Sequence, residues 1–126
     1  KWSEKEIEFD VDMMDVEYLG NENLICHVWD NLLSNAIKFS PCGGTIYIRM
    51  MPEGEKIRFS IENEGPQISE YSMKHIFDKF YQGDSSHKQE GNGLGLALVK
   101  QILNLCMGTV SVENIPGSGC RFTVIL

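Results

Sequence analysis

The sequence predicts an α+β fold: a two-layer sandwich with about three helices on one face of a mixed, mostly antiparallel sheet. Three observations predict it. Short runs alternate apolar and polar residues, at Ile7–Val11, Ile46–Met50, Ile57–Ile61, Val110–Val112 and Phe122–Leu126, which is strand periodicity. Other stretches space their apolar residues as helices do, notably 22–39 and 94–105. Turn residues punctuate the two kinds of segment.

Length and composition set the frame. A chain of 126 residues fits one domain, taken as 1–126, with a single sizeable core. Its net charge of −7 argues against nucleic acid or an anionic membrane surface as a partner. No apolar run approaches the roughly 20 residues that cross a bilayer, so no direct membrane contact is expected of this domain. Cys26, Cys42, Cys106 and Cys120 show no Cys-x-x-Cys spacing, which fits reduced thiols in a cytoplasmic domain better than zinc. The chain opens with Lys1 rather than Met, as expected of a piece of a longer protein.

In order, Ile7, Phe9 and Val11 alternate with charged neighbours in a half-buried first strand. A helix follows over about Glu22–Phe39, with Ile25, Val28, Trp29, Leu32, Ala36 and Phe39 on its apolar arc. His27, Asn31, Ser34, Asn35 and Lys38 share one polar stripe. Asn is a poor helix former, so two of them four residues apart weaken the helix unless they serve a purpose. An amide oxygen can ligate Mg²⁺, and Lys38, one turn on, can meet a phosphate. His27 reads as a surface histidine. Pro41 and Gly43–Gly44 stop the helix.

Ile46, Ile48 and Met50 then share a face, as do Ile57, Phe59 and Ile61, and Pro52-Glu53-Gly54-Glu55 joins the two as a hairpin. The second strand runs into Asn63–Glu64–Gly65–Pro66, which places Asn63 at the sheet rim. Ser69–Phe80 reads as a short helix with Tyr71, Ile76, Phe77 and Phe80 as its apolar members, and Ser69 as a modest cap. Gly83–Glu90 is a polar loop.

Gly91, Gly93 and Gly95 alternate just before an apolar helical pattern of Leu94, Leu98, Ile102 and Leu105. Glycines there admit close backbone approach, and a helix start offers free N–H groups to an anion such as phosphate. The pattern is not the Walker loop, because Leu96 rather than Lys follows Gly95, and no strand precedes it as a dinucleotide fingerprint requires. After Met107–Gly108, strands at Val110–Val112 and Phe122–Leu126 flank the turn Pro116-Gly117-Ser118-Gly119.

Four of these stretches stand in a familiar order. Asp30-Asn31-Leu32-Leu33-Ser34-Asn35-Ala36-Ile37-Lys38-Phe39 resembles the asparagine box of sensor histidine kinases. Asn63-Glu64-Gly65-Pro66-Gln67-Ile68 resembles their first glycine box, Ile76-Phe77-Asp78-Lys79-Phe80-Tyr81 their phenylalanine box, and Gly91-Asn92-Gly93-Leu94-Gly95-Leu96 their second glycine box. The chain therefore resembles the catalytic ATP-binding domain of a two-component sensor histidine kinase, which has the Bergerat fold.

That resemblance implies ATP and Mg²⁺ as cofactors and specific roles. Asn35, with Asn31 beside it, would hold Mg²⁺; Lys38 would contact a phosphate; Asn63 would face adenine, with Gly65 and Ile68 shaping its pocket. Tyr81 to Asn92 would be a lid carrying Lys88. Gly91, Gly93 and Gly95 would bring backbone N–H groups to the phosphates, and Phe39, Phe80, Leu94 and Leu96 complete the implied nucleotide set. The family usually has Asp where Asn63 stands, Gly where Gln67 stands, and Arg where Gln82 stands. Cys106-Met107-Gly108 replaces a common His-Gly-Gly.

The acceptor histidine of such kinases lies on a separate helical dimerisation domain. None of His27, His75 or His87 sits in such a hairpin, so no catalytic acceptor is expected in this chain, and it should not autophosphorylate alone. The implied partners are that histidine-containing dimerisation domain and a downstream response regulator, in a membrane-anchored bacterial sensor. Two alternatives remain open: an ATP-hydrolysing member of the same superfamily, and a non-catalytic binding module.

Overall fold

The computed structural model describes residues 6–13, 22–78 and 95–126. Five strands form one sheet: β1 (Glu8–Met13), β2 (Thr45–Glu53), β3 (Lys56–Glu64), β4 (Thr109–Asn114) and β5 (Gly119–Ile125), in the spatial order β1-β2-β3-β5-β4. Only the β1–β2 pair is parallel; the other three pairs are antiparallel. Three helices accompany them among the described residues: α1 (Glu22–Phe39), α2 (Glu70–His75) and α3 (Gly95–Leu105). The expected α+β architecture is therefore present.

The core lies between one sheet face and the pair α1–α3. Val28, Leu32 and Ala36 of α1 and Val99, Ile102 and Leu103 of α3 meet Ile46, Phe59, Ile61, Val110, Phe122 and Val124. Burial of each large apolar side chain contributes about 1.5–3 kcal/mol. Ile46, Ile48 and Met50 pair across β2–β3 with Asn63, Ile61 and Phe59, so the two alternating runs share the same inner face. Trp29 packs on Phe59 with ring centroids 4.3 Å apart.

The opposite face is polar. Tyr47, Arg49, Met51, Arg58, Ser60, Glu62 and Arg121 line a shallow cleft of about 360 Å³ there. It gathers all three arginines of the sequence. Arg49 pairs with Asp10 at 3.3 Å, Arg58 with Glu53 at 3.3 Å, and Arg121 with Glu62 at 3.1 Å and Glu113 at 3.2 Å. Partly exposed pairs of this kind are worth at most about 1 kcal/mol each. They tie neighbouring strands together on the sheet face opposite α1 and α3.

Several expectations shift. Pro52 belongs to β2, opposite Ile57, and the hairpin turn is Gly54–Glu55 alone, with φ +65° at Gly54. The helix expected over Ser69–Phe80 is α2, which ends at His75, and Ser69 is a true N-cap whose Oγ accepts from Ser72 N at 3.1 Å. Tyr71 is exposed and stacks on His75 rather than entering the core. Phe39 has the right angle on α1 but holds its last position, beside the Pro41 turn, and is exposed.

The largest correction concerns α3. Its buried residues are Val99, Ile102 and Leu103, while Leu98 is 41% exposed and Leu105 72%. Only Lys100, Gln101 and Asn104 are polar between Leu96 and Leu105. Apolar residues therefore surround most of the helix, and spacing alone does not choose among faces. Of the expected face Leu94, Leu98, Ile102 and Leu105, Ile102 is in the core, while Leu98 and Leu105 give way to Val99 and Leu103, about one residue further round.

Candidate functional site

The polar stripe of α1 forms as expected. His27 and Ser34 are exposed, and Asn31, Asn35 and Lys38 are half-buried. Asn31 Nδ2 donates to the His27 carbonyl at 2.8 Å, one turn back, so the amide is braced along its own helix. Its Oδ1 is turned towards the start of α3: a Cβ added at Gly95 would stand 3.1 Å from that oxygen. The two features found separately in the sequence, an Asn-bearing stripe and a glycine-led helix start, are thus adjacent. The orphan N–H groups and partial positive charge of the α3 N-terminus sit beside an uncharged oxygen.

The other end of α1 borders the first glycine loop. Gly65 has φ +136°, and a Cβ there would lie 2.7 Å from the Phe39 carbonyl oxygen. Both the conformation and the space require glycine at this position. Lys38 Nζ lies 5.5 Å from the Phe39 ring centroid, in the last turn of α1, where a cation complements the helix dipole. Asn31 and Phe39 are eight residues apart, about 12 Å along the helix axis. α1 therefore spans from the α3 start to the Gly65 loop.

Asn63 stands next to last in β3, but it is not at a solvent-exposed rim: it is 2% exposed. Its Nδ2 donates to the Glu64 carbonyl at 2.9 Å, and Cys120 Sγ donates to its Oδ1 at 3.7 Å. Burial, with the Glu62 carboxylate adding to it, pushes the Cys120 thiol up to about 11, so at neutral pH it keeps its proton and remains a donor. β5 opens with Gly119 because a side chain there would collide with the Asn63 carbonyl.

The segment after Gly65 is pinned from outside. Asn114, the last residue of β4, accepts from Ile68 N at 2.8 Å and donates to Ile68 O at 2.8 Å. Gln67 Nε2 donates to the Ile115 carbonyl at 3.0 Å, and Gly65 N to the Ser118 carbonyl at 3.4 Å. Gln67 thus makes a specific bond where the resemblance led one to expect glycine. Phe77, from the phenylalanine box, meets Phe122 edge-on at 6.2 Å.

Of the residues singled out in the sequence, Asn31, Asn35, Lys38, Phe39, Asn63, Gly65, Ile68, Gly95 and Leu96 are described, and the contacts above tie α1 to both glycine stretches. Phe80, Tyr81, Lys88, Gly91, Gly93 and Leu94, and the stretch Tyr81 to Asn92, lie outside the described residues. Sequence reasoning missed Asn114 and Cys120. An Asn closing a strand before a Pro-Gly turn was the only signal for the first; for the second there was none, since none of the four cysteines stands at a spacing that marks a site. Among the described residues no group of three His, Cys, Asp or Glu side chains surrounds a metal position. The donors available to a cation here are amide oxygens, which suits a hard ion that shares its shell with phosphate oxygens.

Comparison with known proteins gives a consistent picture. Residues 20–126 match the family described as histidine kinase-, DNA gyrase B-, and HSP90-like ATPase. The heme sensor protein HssS of Staphylococcus saprophyticus is 34% identical over 122 residues, covering 97% of this chain and 26% of that protein. The mycobacterial sensor histidine kinase MprB superposes with a TM-score of 0.90 at 28% identity, over 96% of this chain and 83% of that one. Full-length ShkA in complex with AMPPNP gives 0.82 at 27%, over 98% of this chain and 26% of that one. The chain spans about a quarter of the length of HssS.

Proposed function

Because the chain belongs to the family of histidine kinase-, DNA gyrase B- and HSP90-like ATPases, we propose that it is the catalytic domain, spanning 1–126, of a cytoplasmic part of a sensor histidine kinase. It binds Mg-ATP and presents the γ-phosphate to a histidine on a separate dimerisation domain, from which a response regulator takes it. The observation that carries this reading is the approach of Asn31 Oδ1 to Gly95, which sets a neutral oxygen donor against a helix N-terminus. The four unpaired cysteines accord with a reducing compartment.

In this reading Asn35 and Asn31 hold Mg²⁺, and Lys38 neutralises phosphate charge. The α3 N-terminus orients the phosphates, and Asn63, with Gly65 and Ile68, receives the base. When bound, the nucleotide supplies the phosphoryl group and the metal supplies charge neutralisation; the protein contributes positioning. The hydrolytic alternative needs a base that takes a proton from water. Asn31, committed to the His27 carbonyl, is an amide and takes none.

Calorimetric titration with ATP tests the proposal. Binding should strengthen with Mg²⁺ in the parent chain and lose that dependence in Asn35→Ala. Labelled ATP should leave no phosphohistidine on the chain alone and should label an added dimerisation domain from the same parent sensor. Equal binding with and without Mg²⁺ in the parent, or labelling of His27, His75 or His87, would overturn it.

A further inference from the structure

We propose that the sheet face opposite α1 and α3 is a docking surface for an acidic segment of a partner protein, bound extended with carboxylates at alternate positions. The inference goes beyond the nucleotide-binding reading and does not depend on it.

The cleft of about 360 Å³ on that face is lined by Arg49, Arg58 and Arg121, in a chain of net charge −7 that has no other arginine. Strand register fixes their spacing. Arg58, Ser60 and Glu62 are alternate residues of β3 and share one face. Arg49 of β2 stands opposite Ser60, and Arg121 of β5 stands opposite Glu62. The three arginines therefore mark three successive steps along β3, about 7 Å apart, staggered over three neighbouring strands. An extended peptide repeats its same-side residues at the same step. Carboxylates at alternate positions would meet Arg58, Arg49 and Arg121 in turn.

The arginines are held in place with donors to spare. Arg49 Nη1 donates to the Asp10 and Ile48 carbonyls at 2.8 and 2.9 Å, and its guanidinium lies 5.9 Å from the Tyr47 ring centroid. Arg121 Nε and Nη2 both donate to Glu62 Oε1, at 3.2 and 3.1 Å. Arg58 Nη1 donates to Glu53 Oε1 at 3.3 Å, and its Nε and Nη2 make no bond to the described residues. A guanidinium carries five N–H donors, so each arginine keeps some for a ligand. Their counter-charges Asp10, Glu53 and Glu113 are more than half exposed. Such pairs are weak, so these carboxylates can turn to water when a ligand's carboxylate arrives.

Shape and charge select the occupant. Small ligands take enclosed, mostly apolar pockets, whereas this cleft is shallow and polar. Arg, Tyr and Met are enriched where proteins meet, and Tyr47 and Met51 lie among the arginines here. A second copy docked cleft to cleft would set its own guanidiniums against these. An acidic segment supplies the missing sign.

Fluorescence anisotropy with labelled peptides tests this. The parent chain should bind Glu-Ser-Glu-Ser-Glu up to about fivefold more tightly than Glu-Glu-Glu-Ser-Ser, which has the same charge but turns its middle carboxylate to the far side. Lys-Ser-Lys-Ser-Lys should not bind. Binding should vanish at about 1 M salt, where charges are screened within about 3 Å. Arg58→Glu should weaken it by at least about fivefold and leave ATP affinity unchanged. The two glutamate peptides are compared on the parent, so that test stands even if Arg58→Glu fails to fold. Equal binding of those two peptides, or of the parent and a folded Arg58→Glu, would overturn the proposal. Inorganic phosphate that displaces the peptide at equal concentration would show a small-anion site instead, and self-association abolished by Arg58→Glu would show a contact between copies; either also overturns it.

Discussion

The side chain of Asn114 grips both backbone groups of Ile68, accepting from its N–H and donating to its carbonyl, each at 2.8 Å. One amide thereby stands in for a strand partner and holds the first glycine stretch against the end of β4. Asn114→Ala removes both bonds and should destabilise the domain by about 1–2 kcal/mol, at roughly 1 kcal/mol per hydrogen bond. The Ile68 amide should also exchange faster with solvent. Asn114→Asp keeps the acceptor, so it should retain protection at Ile68 N. Unchanged exchange at Ile68 in the alanine variant would show that the grip contributes nothing.

Gly95→Ala separates binding from stability. Alanine is the better helix former, which favours the folded chain by up to about 1 kcal/mol. The new methyl would stand 3.1 Å from Asn31 Oδ1 and push that oxygen aside. Denaturation midpoints should hold or rise while Mg-ATP affinity falls. A variant that loses stability and keeps its affinity would contradict the placement of Asn31.

Met107 has φ +62°, in the left-handed region, two residues past the end of α3, and it is 86% exposed. Gly108 N bonds back to the Leu103 carbonyl at 2.7 Å, so the chain is held in a helix-ending turn that glycine adopts without strain. Met107→Gly should stabilise by about 1 kcal/mol, read as a shift in the urea midpoint. No shift, or a loss, would mean that the methionine side chain has a compensating contact.

Cys120 makes stability depend on alkaline pH. Its thiol is raised from an ordinary 9.0 to about 11 in the folded chain. The folded form holds the proton more tightly, so this contribution is complete below pH 9 and is lost as pH rises through 11. The parent should lose more stability between pH 9 and 11 than Cys120→Val, followed by thermal melts. Parallel losses in the two chains would refute it.

Some of this architecture could be read from residue order and some could not. Ile57, Phe59 and Ile61 alternate because one sheet face is covered and the other wet, so the strand was plain. α1 was plain for a related reason: Val28, Leu32 and Ala36 recur on one face of the cylinder, and Asn31, Ser34 and Asn35 form a polar stripe along its flank. Strand order was not legible. β5 lies between β3 and β4, and nothing local in Phe122 or Val124 states which neighbours they meet. Asn63 looked like a rim residue because its sequence neighbours are polar; its burial comes from Gly119 and Cys120, more than fifty positions away. Asn114 and Ile68 are likewise 46 residues apart. The site was legible where a helix spells it out, and hidden where distant segments build it.

The parallel pairing of β1 with β2 bears on the order in which the chain folds. β2 and β3 are joined by a two-residue turn, so they can zip together early with little loop-closure entropy. β1 must pair across the whole of α1, and every residue in it remains exposed. Its contacts are non-local and bring little burial, so β1 should dock last and its mutations should speed unfolding without slowing folding. Val11→Ala, opposite Ile48 in that pair, should steepen only the unfolding arm of a chevron plot, whereas Ile61→Val should slow refolding.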